Sequence, residues 1–403
     1  MKKEIKITFQ TLTPLWTGDA WGENNTIRPS GLMGSLRFWF EVICFFSGIT
    51  DKNDYEKGKL KDNVDGKVLE QKILENGADF SSIDKTLAEM GITLPSKIFG
   101  CTGWKGWIRI KEIRPVEDDF FGKKLNLPYA VTISKNASFL VNEYKDKKEL
   151  NDFINSEYSG KRKEKNKQFK KNYSVWYFAQ PYFYGKFELI FELEEKILEP
   201  IFYPLLTFME KYGFWGGKWN IGYGRLKVEK VEIKNNSYFE KINNWRNEEF
   251  GFSEFFKNEN SKFDSKKFSD LIDNNDFLNK DSNLFDFLKY FLEIDSFYCK
   301  SERYFQGKVN NVPSKFKTII NLLNNSDYKN IIKELIKIKS QIRDCLRPDN
   351  SIQNKKEWNI FRHKLLGTTS GDSEGTKIIP WIYEENGQLK GGFISIAGNS
   401  NLE

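Results

Sequence analysis

An α+β chain of two units, the first a sheet with helices packed on one face, is the architecture that this sequence predicts. The prediction rests on apolar/polar alternation at both ends of the first 236 residues, on helical spacing between them, and on a change of composition near Ser237. The length of 403 residues agrees, since it provides for two or three domains. Residues 3–11 alternate as a strand, which Thr13-Pro14 ends. Pro29-Ser30 then opens a helix with Ser30 as the expected N-cap, and Leu32, Leu36, Trp39, Phe40 and Ile43 recur on one face. Residues 47–95 are polar and weakly periodic, with one helix expected over 68–74, and read as an insertion; the strand pattern resumes over 107–113.

A second insertion, almost entirely polar, covers 144–171. A strand over 186–193, a short apolar helix over 201–212, a glycine-rich run and a strand over 226–233 follow. Strand, helix, two strands, helix, strand is the ferredoxin-like, RRM-like order, assigned to residues 1–236. Residues 237–403 predict a more helical and divergent α+β unit. It has amphipathic helices over 284–292 and 328–342, the second capped by Ser326, and it ends in a hairpin of 378–383 and 389–396 around Asn386-Gly387.

Composition narrows the functional classes. Hydrophobic residues make up 39%, aromatic residues 16% and charged residues 30%, which is a folded chain with a sizeable core. The cysteines Cys44, Cys101, Cys299 and Cys345 lie far apart without CxxC spacing, against a disulfide framework or a cysteine zinc site and in favour of a reducing cytosol. The longest apolar stretch, 38–46, is interrupted by Glu41 and is too short for a bilayer. The lysines at the N-terminus precede a strand pattern rather than the apolar block of a signal peptide. A cytoplasmic protein without membrane contact is expected.

The net charge of +7 is concentrated. Residues 161–171 carry +6 and residues 211–230 carry +4, which leaves −3 for the remainder. Two basic segments suit a polyanion footprint, although 161–171 reads equally as a solvated loop.

The second basic segment contains Gly213-Phe214-Trp215-Gly216-Gly217-Lys218-Trp219-Asn220-Ile221-Gly222-Tyr223-Gly224-Arg225. It is not a P-loop, because Trp219 follows Gly217-Lys218, and it is not a dinucleotide fingerprint, because it enters a strand. Glycines, two cations and interleaved aromatics suit an extended nucleic-acid strand, with phosphates on the N–H groups of Gly216, Gly217, Gly222 and Gly224, charge from Lys218 and Arg225, and aromatics for stacking. A tight turn with core aromatics has the same composition. The first helix adds a second candidate, its N-terminus at Ser30 with Arg28 just upstream and Arg37 two turns inside; Arg37 also reads as an ordinary ion-paired helix arginine.

Three segments carry a resemblance. Thr11-Leu12-Thr13-Pro14-Leu15-Trp16-Thr17-Gly18, then Arg28-Pro29-Ser30-Gly31-Leu32-Met33-Gly34-Ser35-Leu36-Arg37-Phe38-Trp39-Phe40, then Lys97-Ile98-Phe99-Gly100 resemble the opening of CRISPR RAMP proteins. They are most similar to the family of first-numbered RAMP subunits of the type III-B (Cmr) effector complex, and the glycine-rich run resembles the superfamily's signature loop. Asp19 stands where members often have a second glycine, and Met33 where they have a basic residue. The resemblance implies a modified ferredoxin-like RNA-binding fold in a ribonucleoprotein. It also implies a place near the 3′ end of the guide (CRISPR) RNA, a part in target RNA capture, and other RAMP subunits as neighbours.

A binding role, without cofactor or resident metal, is expected over catalysis. RAMP nucleases that process repeat RNA depend on a histidine near the substrate, and the single histidine here, His363, is outside both motifs. Subunits that slice target RNA use an aspartate in the first loop, where Asp19 and Glu23 lie, so a metal-dependent endoribonuclease using Asp19 is the alternative. A purely structural subunit is the third reading.

Overall fold

The computed structural model of the chain describes residues 1–18, 24–116, 123–124, 129–132, 139–142, 175–176, 181–246, 272–276, 290–291, 316–346, 355–367 and 375–396. Asp19, Glu23, the basic segment 161–171 and most of the helix expected over 284–292 lie outside the described residues.

Strand β1 (Lys2–Thr11) buries Ile5, Ile7 and Phe9 and turns the alternate residues outward, as its period of two requires. Helix α1 (Pro29–Phe46) buries Leu32, Leu36, Trp39, Phe40 and Ile43, the face read from spacing. Its cap differs from expectation: Arg28 is the N-cap residue, Pro29 begins the helix, and Ser30 lies one residue inside with no capping bond.

The segment 47–95 is more helical than its polarity predicts. It holds α2 (Gly66–Asn76) and α3 (Phe80–Glu89), and α4 (Leu94–Phe99) follows. The Asp65 and Asp79 carboxylates accept the orphan N–H groups at the starts of α2 and α3, so each short helix begins on a strong cap.

The first sheet and its second helix are completed by β2 (Ile108–Pro115), β3 (Lys186–Glu194), α5 (Tyr203–Lys211), β4 (Leu226–Asn235) and an edge strand β5 (Tyr238–Lys241). The strand order is β5-β4-β1-β3-β2 with antiparallel neighbours throughout, so the first four strands show the 4-1-3-2 arrangement of a ferredoxin-like sheet. Helices α1 and α5 cover one face, and their buried residues merge with Phe9, Phe187, Phe191 and Val231 in one core.

The opposite face is a lattice of ion pairs. Lys2 and Arg109 both reach Glu192, at 2.9 and 2.8 Å; Lys111 and Lys234 share Glu4; Lys6 and Lys230 flank Glu232 at 2.9 and 2.7 Å.

A second sheet comprises β6 (Ile272–Asp276), β7 (Phe316–Asn325), β8 (Ile378–Glu385) and β9 (Gln388–Ser395), in the order β6-β7-β9-β8. The expected hairpin is present, with Asn386 and Gly387 both at positive φ, 52° and 78°. Between β7 and β8 lie α6 (Tyr328–Cys345) and α7 (Lys355–Leu366). At the start of α6 the carboxylate of Asp327, not Ser326, accepts the Lys329 N–H at 2.9 Å. Ile331, Ile332 and Leu335 of α6 pack with Ile319, Ile382 and Phe393 of the sheet.

The two sheets share apolar contacts. The Phe316 ring sits 4.5 Å from Phe46, 5.6 Å from Phe208 and 6.2 Å from Trp39. The Trp381 indole stacks on Tyr212 and donates to the Lys211 carbonyl at 2.8 Å. Cys44 and Cys101 are free thiols. Among the described residues no helix is long and apolar enough to cross a membrane.

Candidate nucleic-acid interface

The glycine-rich run leaves the end of α5, passes beside the first turns of α1 and enters β4. Phe214 and Trp215 are fully buried, Phe214 against Trp39 and Trp215 edge-on to Phe9. Two glycines are dictated by backbone approach: Gly216 (φ +71°) and Gly224 (φ +84°) are left-handed, and a Cβ on them would run into the carbonyls of Trp16 and Trp215.

That close packing corrects one expectation. The N–H groups proposed to cradle phosphate are engaged within the chain. Gly216 donates to Ser35 Oγ at 2.8 Å, Gly217 to the Trp16 carbonyl at 2.7 Å, Gly222 to the Trp219 carbonyl at 2.9 Å, and Gly224 to the Pro14 carbonyl at 2.8 Å. Ser35, itself donating to the Gly31 carbonyl, thus fastens α1 to the loop.

Arg225 requires a second correction. It is 0% exposed, and its guanidinium donates to the carbonyls of Ile382, Met209, Gly213, Glu210 and Lys211. Three of these carbonyls belong to the last turn of α5, where acceptors are left over, and one belongs to β8. Burial pulls the Arg225 pKa down to about 9, opposed by the Glu210 carboxylate, so the cation persists at neutral pH. Arg225 is a structural clasp, with its donors occupied by carbonyls instead of a phosphate.

The tip of the loop is different. Lys218 has φ +66°, precedes a single turn at Trp219–Ile221, and is half-buried with Nζ 4.8 Å above the Trp16 ring. Burial lowers its pKa from the ordinary value. Among the described residues, the N–H groups of Lys218, Trp219 and Asn220 make no hydrogen bond. The loop's open donors therefore belong to its non-glycine tip.

The start of α1 adjoins this loop. Arg28 is half-buried and donates its N–H to Thr17 Oγ1 at 3.0 Å; Ser30 is exposed, and neither it nor Gly31 has a side-chain cap for its N–H. Phe38, two turns on, packs 5.0 Å from Trp219.

Arg37 is mostly engaged. It donates to Glu41 Oε1 at 2.6 Å, to the Gly100 carbonyl and to Ser96 Oγ, so it couples the first motif of the sequence to the Lys97-Ile98-Phe99-Gly100 element. This geometry is that of the ion-paired helix arginine also read from the sequence. Burial raises the Glu41 pKa, with Arg37 opposing it.

His363 lies on α7, half-buried with Nε2 3.4 Å from Arg362. Among the described residues, no group of three or more His, Cys, Asp or Glu is placed to hold a metal ion.

The RRM manner of RNA binding, in which central strands stack bases on exposed aromatics, does not apply to this sheet. All aromatics of β1 and β3 (Phe9, Phe187 and Phe191) are buried on the helix side, and the open face carries the paired charges.

The chain belongs to the RAMP superfamily, whose family model matches residues 8–227. No curated protein matches it. Among solved structures it is similar to Cmr1 from Pyrococcus furiosus in its apo form, with 12% identity, TM-score 0.37, and coverage of 97% of this chain and 87% of that one. It is also similar to a chain of the type III-B Cmr-beta complex bound to cognate target RNA, with 11% identity, TM-score 0.38, and coverage of 98% and 94%. Oligomeric Cmr4 from Pyrococcus furiosus is similar over 58% of this chain and 99% of that one, with 14% identity and TM-score 0.24.

Proposed function

We propose that this chain is a non-catalytic RNA-binding subunit of a type III-B CRISPR-Cas ribonucleoprotein effector in the cytoplasm. It sits near the 3′ end of the guide RNA beside other RAMP subunits and aids capture of target RNA. One observation carries the reading: in a RAMP protein, the Lys218–Asn220 tip has N–H groups without a hydrogen bond among the described residues, the start of α1 has no side-chain cap, Ser35 joins that helix to the loop, and the Lys218 ammonium lies above the Trp16 ring. Such donors recognise phosphate oxygens without reading sequence.

The test is binding of single-stranded RNA to the full chain across a salt series. Wild type should bind with strong salt dependence, and Lys218→Ala should weaken binding and reduce the slope by about 0.7 for the lost phosphate contact. A wild-type protein that fails to retain RNA overturns the proposal. Incubating the RNA with magnesium or manganese tests the nuclease alternative. Intact RNA is expected, and cleavage abolished by Asp19→Ala would replace the binding role with catalysis.

A further inference from the structure

A strip of aromatic side chains runs from the glycine-rich loop to the start of α6. Leu15 and Phe183 exchange main-chain hydrogen bonds of 2.8 and 2.9 Å in an antiparallel bridge, and both are fully buried in the first core. Side chains alternate across such a bridge, so Trp16, Tyr182 and Tyr184 project to the other side, where they join the second core. There the Tyr184 ring stacks on Tyr328, with centroids 4.6 Å apart and planes at 24°. Tyr182 meets Tyr223 of the loop edge-on at 6.3 Å.

Trp16, Tyr184 and Tyr328 are half-buried, so each retains accessible surface. A cation flanks each end: Lys218 Nζ lies 4.8 Å from the Trp16 ring and Lys329 Nζ 5.9 Å from the Tyr328 ring. Trp16 Nε1 is buried without a hydrogen-bond partner among the described residues. Asp327, the carboxylate that the described residues place beside the tyrosine pair, holds the Lys329 N–H.

From this arrangement we infer that Tyr184 and Tyr328, continued by Trp16, form a stacking platform for unpaired RNA bases. The inference rests on the RNA-binding reading above and extends it, since the Lys218 tip holds the backbone while the strip receives the bases. Aromatic faces between two cations suit a polyanion whose bases carry π-faces. The strip supplies the stacking surface that the ion-paired sheet face lacks. It also draws Tyr328, at the start of α6, into a site otherwise built by the first half of the chain.

The test uses the full chain and a labelled single-stranded oligoadenylate of about 12 nucleotides. Tyr184→Phe/Tyr328→Phe keeps both rings and should bind within about 2-fold of wild type. Tyr184→Leu/Tyr328→Leu keeps apolar bulk without the π-faces and should bind about 10-fold more weakly. Its salt slope should not change, because no charge is lost, whereas Lys218→Ala should lower that slope. A readout that needs no variant is an oligonucleotide with abasic positions, which wild type should bind more weakly by a similar factor and the Leu variant by little. Equal binding by the Phe and Leu variants, or indifference of wild type to abasic positions, overturns the platform and leaves RNA binding standing. Failure of wild type to bind any oligonucleotide overturns both readings. Normal RNA binding by the Leu variant with loss of a neighbouring subunit would make the strip a protein interface.

Discussion

The glycine-rich run ends in two cations of opposite character. Arg225, at its exit, is sealed from solvent and meets five carbonyls, whereas Lys218, at its tip, is half-buried over an indole amid open N–H groups. Six residues lie between them and their formal charges are equal. The difference is what surrounds each. The end of α5 and the strand β8 present carbonyl oxygens that only a multidentate donor satisfies, and the planar guanidinium supplies it. Among the described residues no such acceptors meet Lys218, which leaves its ammonium for an external anion in the RNA-binding reading. A basic residue in a nucleic-acid motif therefore counts as a ligand contact only once its acceptors within the fold have been identified.

The largest expected effect breaks the clasp. Arg225→Ala removes a donor from buried carbonyls in three segments and should cost about 3–5 kcal/mol of unfolding free energy, read by denaturant titration. Arg225→Lys keeps the charge without the fork and should recover only part of the loss. If the Ala variant were as stable as wild type but bound RNA poorly, the assignment of Arg225 to the fold would be wrong.

Next in size is a pair of glycine substitutions in the same run. Gly224→Ala combines a left-handed φ with a Cβ driven into the Trp215 carbonyl and should cost about 3 kcal/mol. Gly222→Ala has a similar φ, +88°, but its Cβ would meet Pro380 only at 3.5 Å, so about 1–2 kcal/mol is expected. Equal losses, measured by the same titration, would show that the conformation alone, and not the approach of Trp215, requires Gly224.

Lys218→Ala sharpens the contrast from the other side. Stability should change by less than about 1 kcal/mol, because Lys218 makes no ion pair among the described residues, while RNA affinity falls and its salt dependence flattens. A large loss of stability with unchanged affinity would make the tip structural.

The elements that were legible in the sequence buried one face only. Strand β1, helix α1 and strands β3 and β4 each meet the core on one side and solvent or ion pairs on the other, so their periods were visible. Strand β7 was not read because it opens with consecutive buried residues, Phe316 to Ile319, which leave no alternation. In β6, only Ile272 is apolar. Helices α2 and α3 were understated because they are mostly polar and exposed, α2 burying only Leu69 and α3 only Thr86 and Leu87, so their periodicity is weak. The site was legible as a composition of glycine, aromatic and basic residues. Its division into clasp and tip was not, since the Arg225 acceptors lie 12 to 157 residues away. The bond between Arg37 and Gly100 is equally non-local, at 63 residues.

The smallest expected effect concerns the face that carries charge without offering it. On the open side of the first sheet, Arg109 and then Lys2 hydrogen-bond Glu192 and hold its pKa down to about 2. A carboxylate depressed in the folded state contributes stability that is fully present above its unfolded value, near 4.5, and is lost as pH falls through 2. Because Arg109 is largely exposed, solvent screens the pair and its share should be only about 1 kcal/mol. Glu192→Gln should therefore lower stability by about that amount at pH 7 and approach wild type as pH falls from 4.5 towards 2, with less effect at high salt. RNA affinity at pH 7 should be unchanged, because the bases and phosphates are assigned to the loop tip and the tyrosine strip. A fall in affinity with intact stability would instead place RNA on the sheet face and reverse the contrast between paired and available charge.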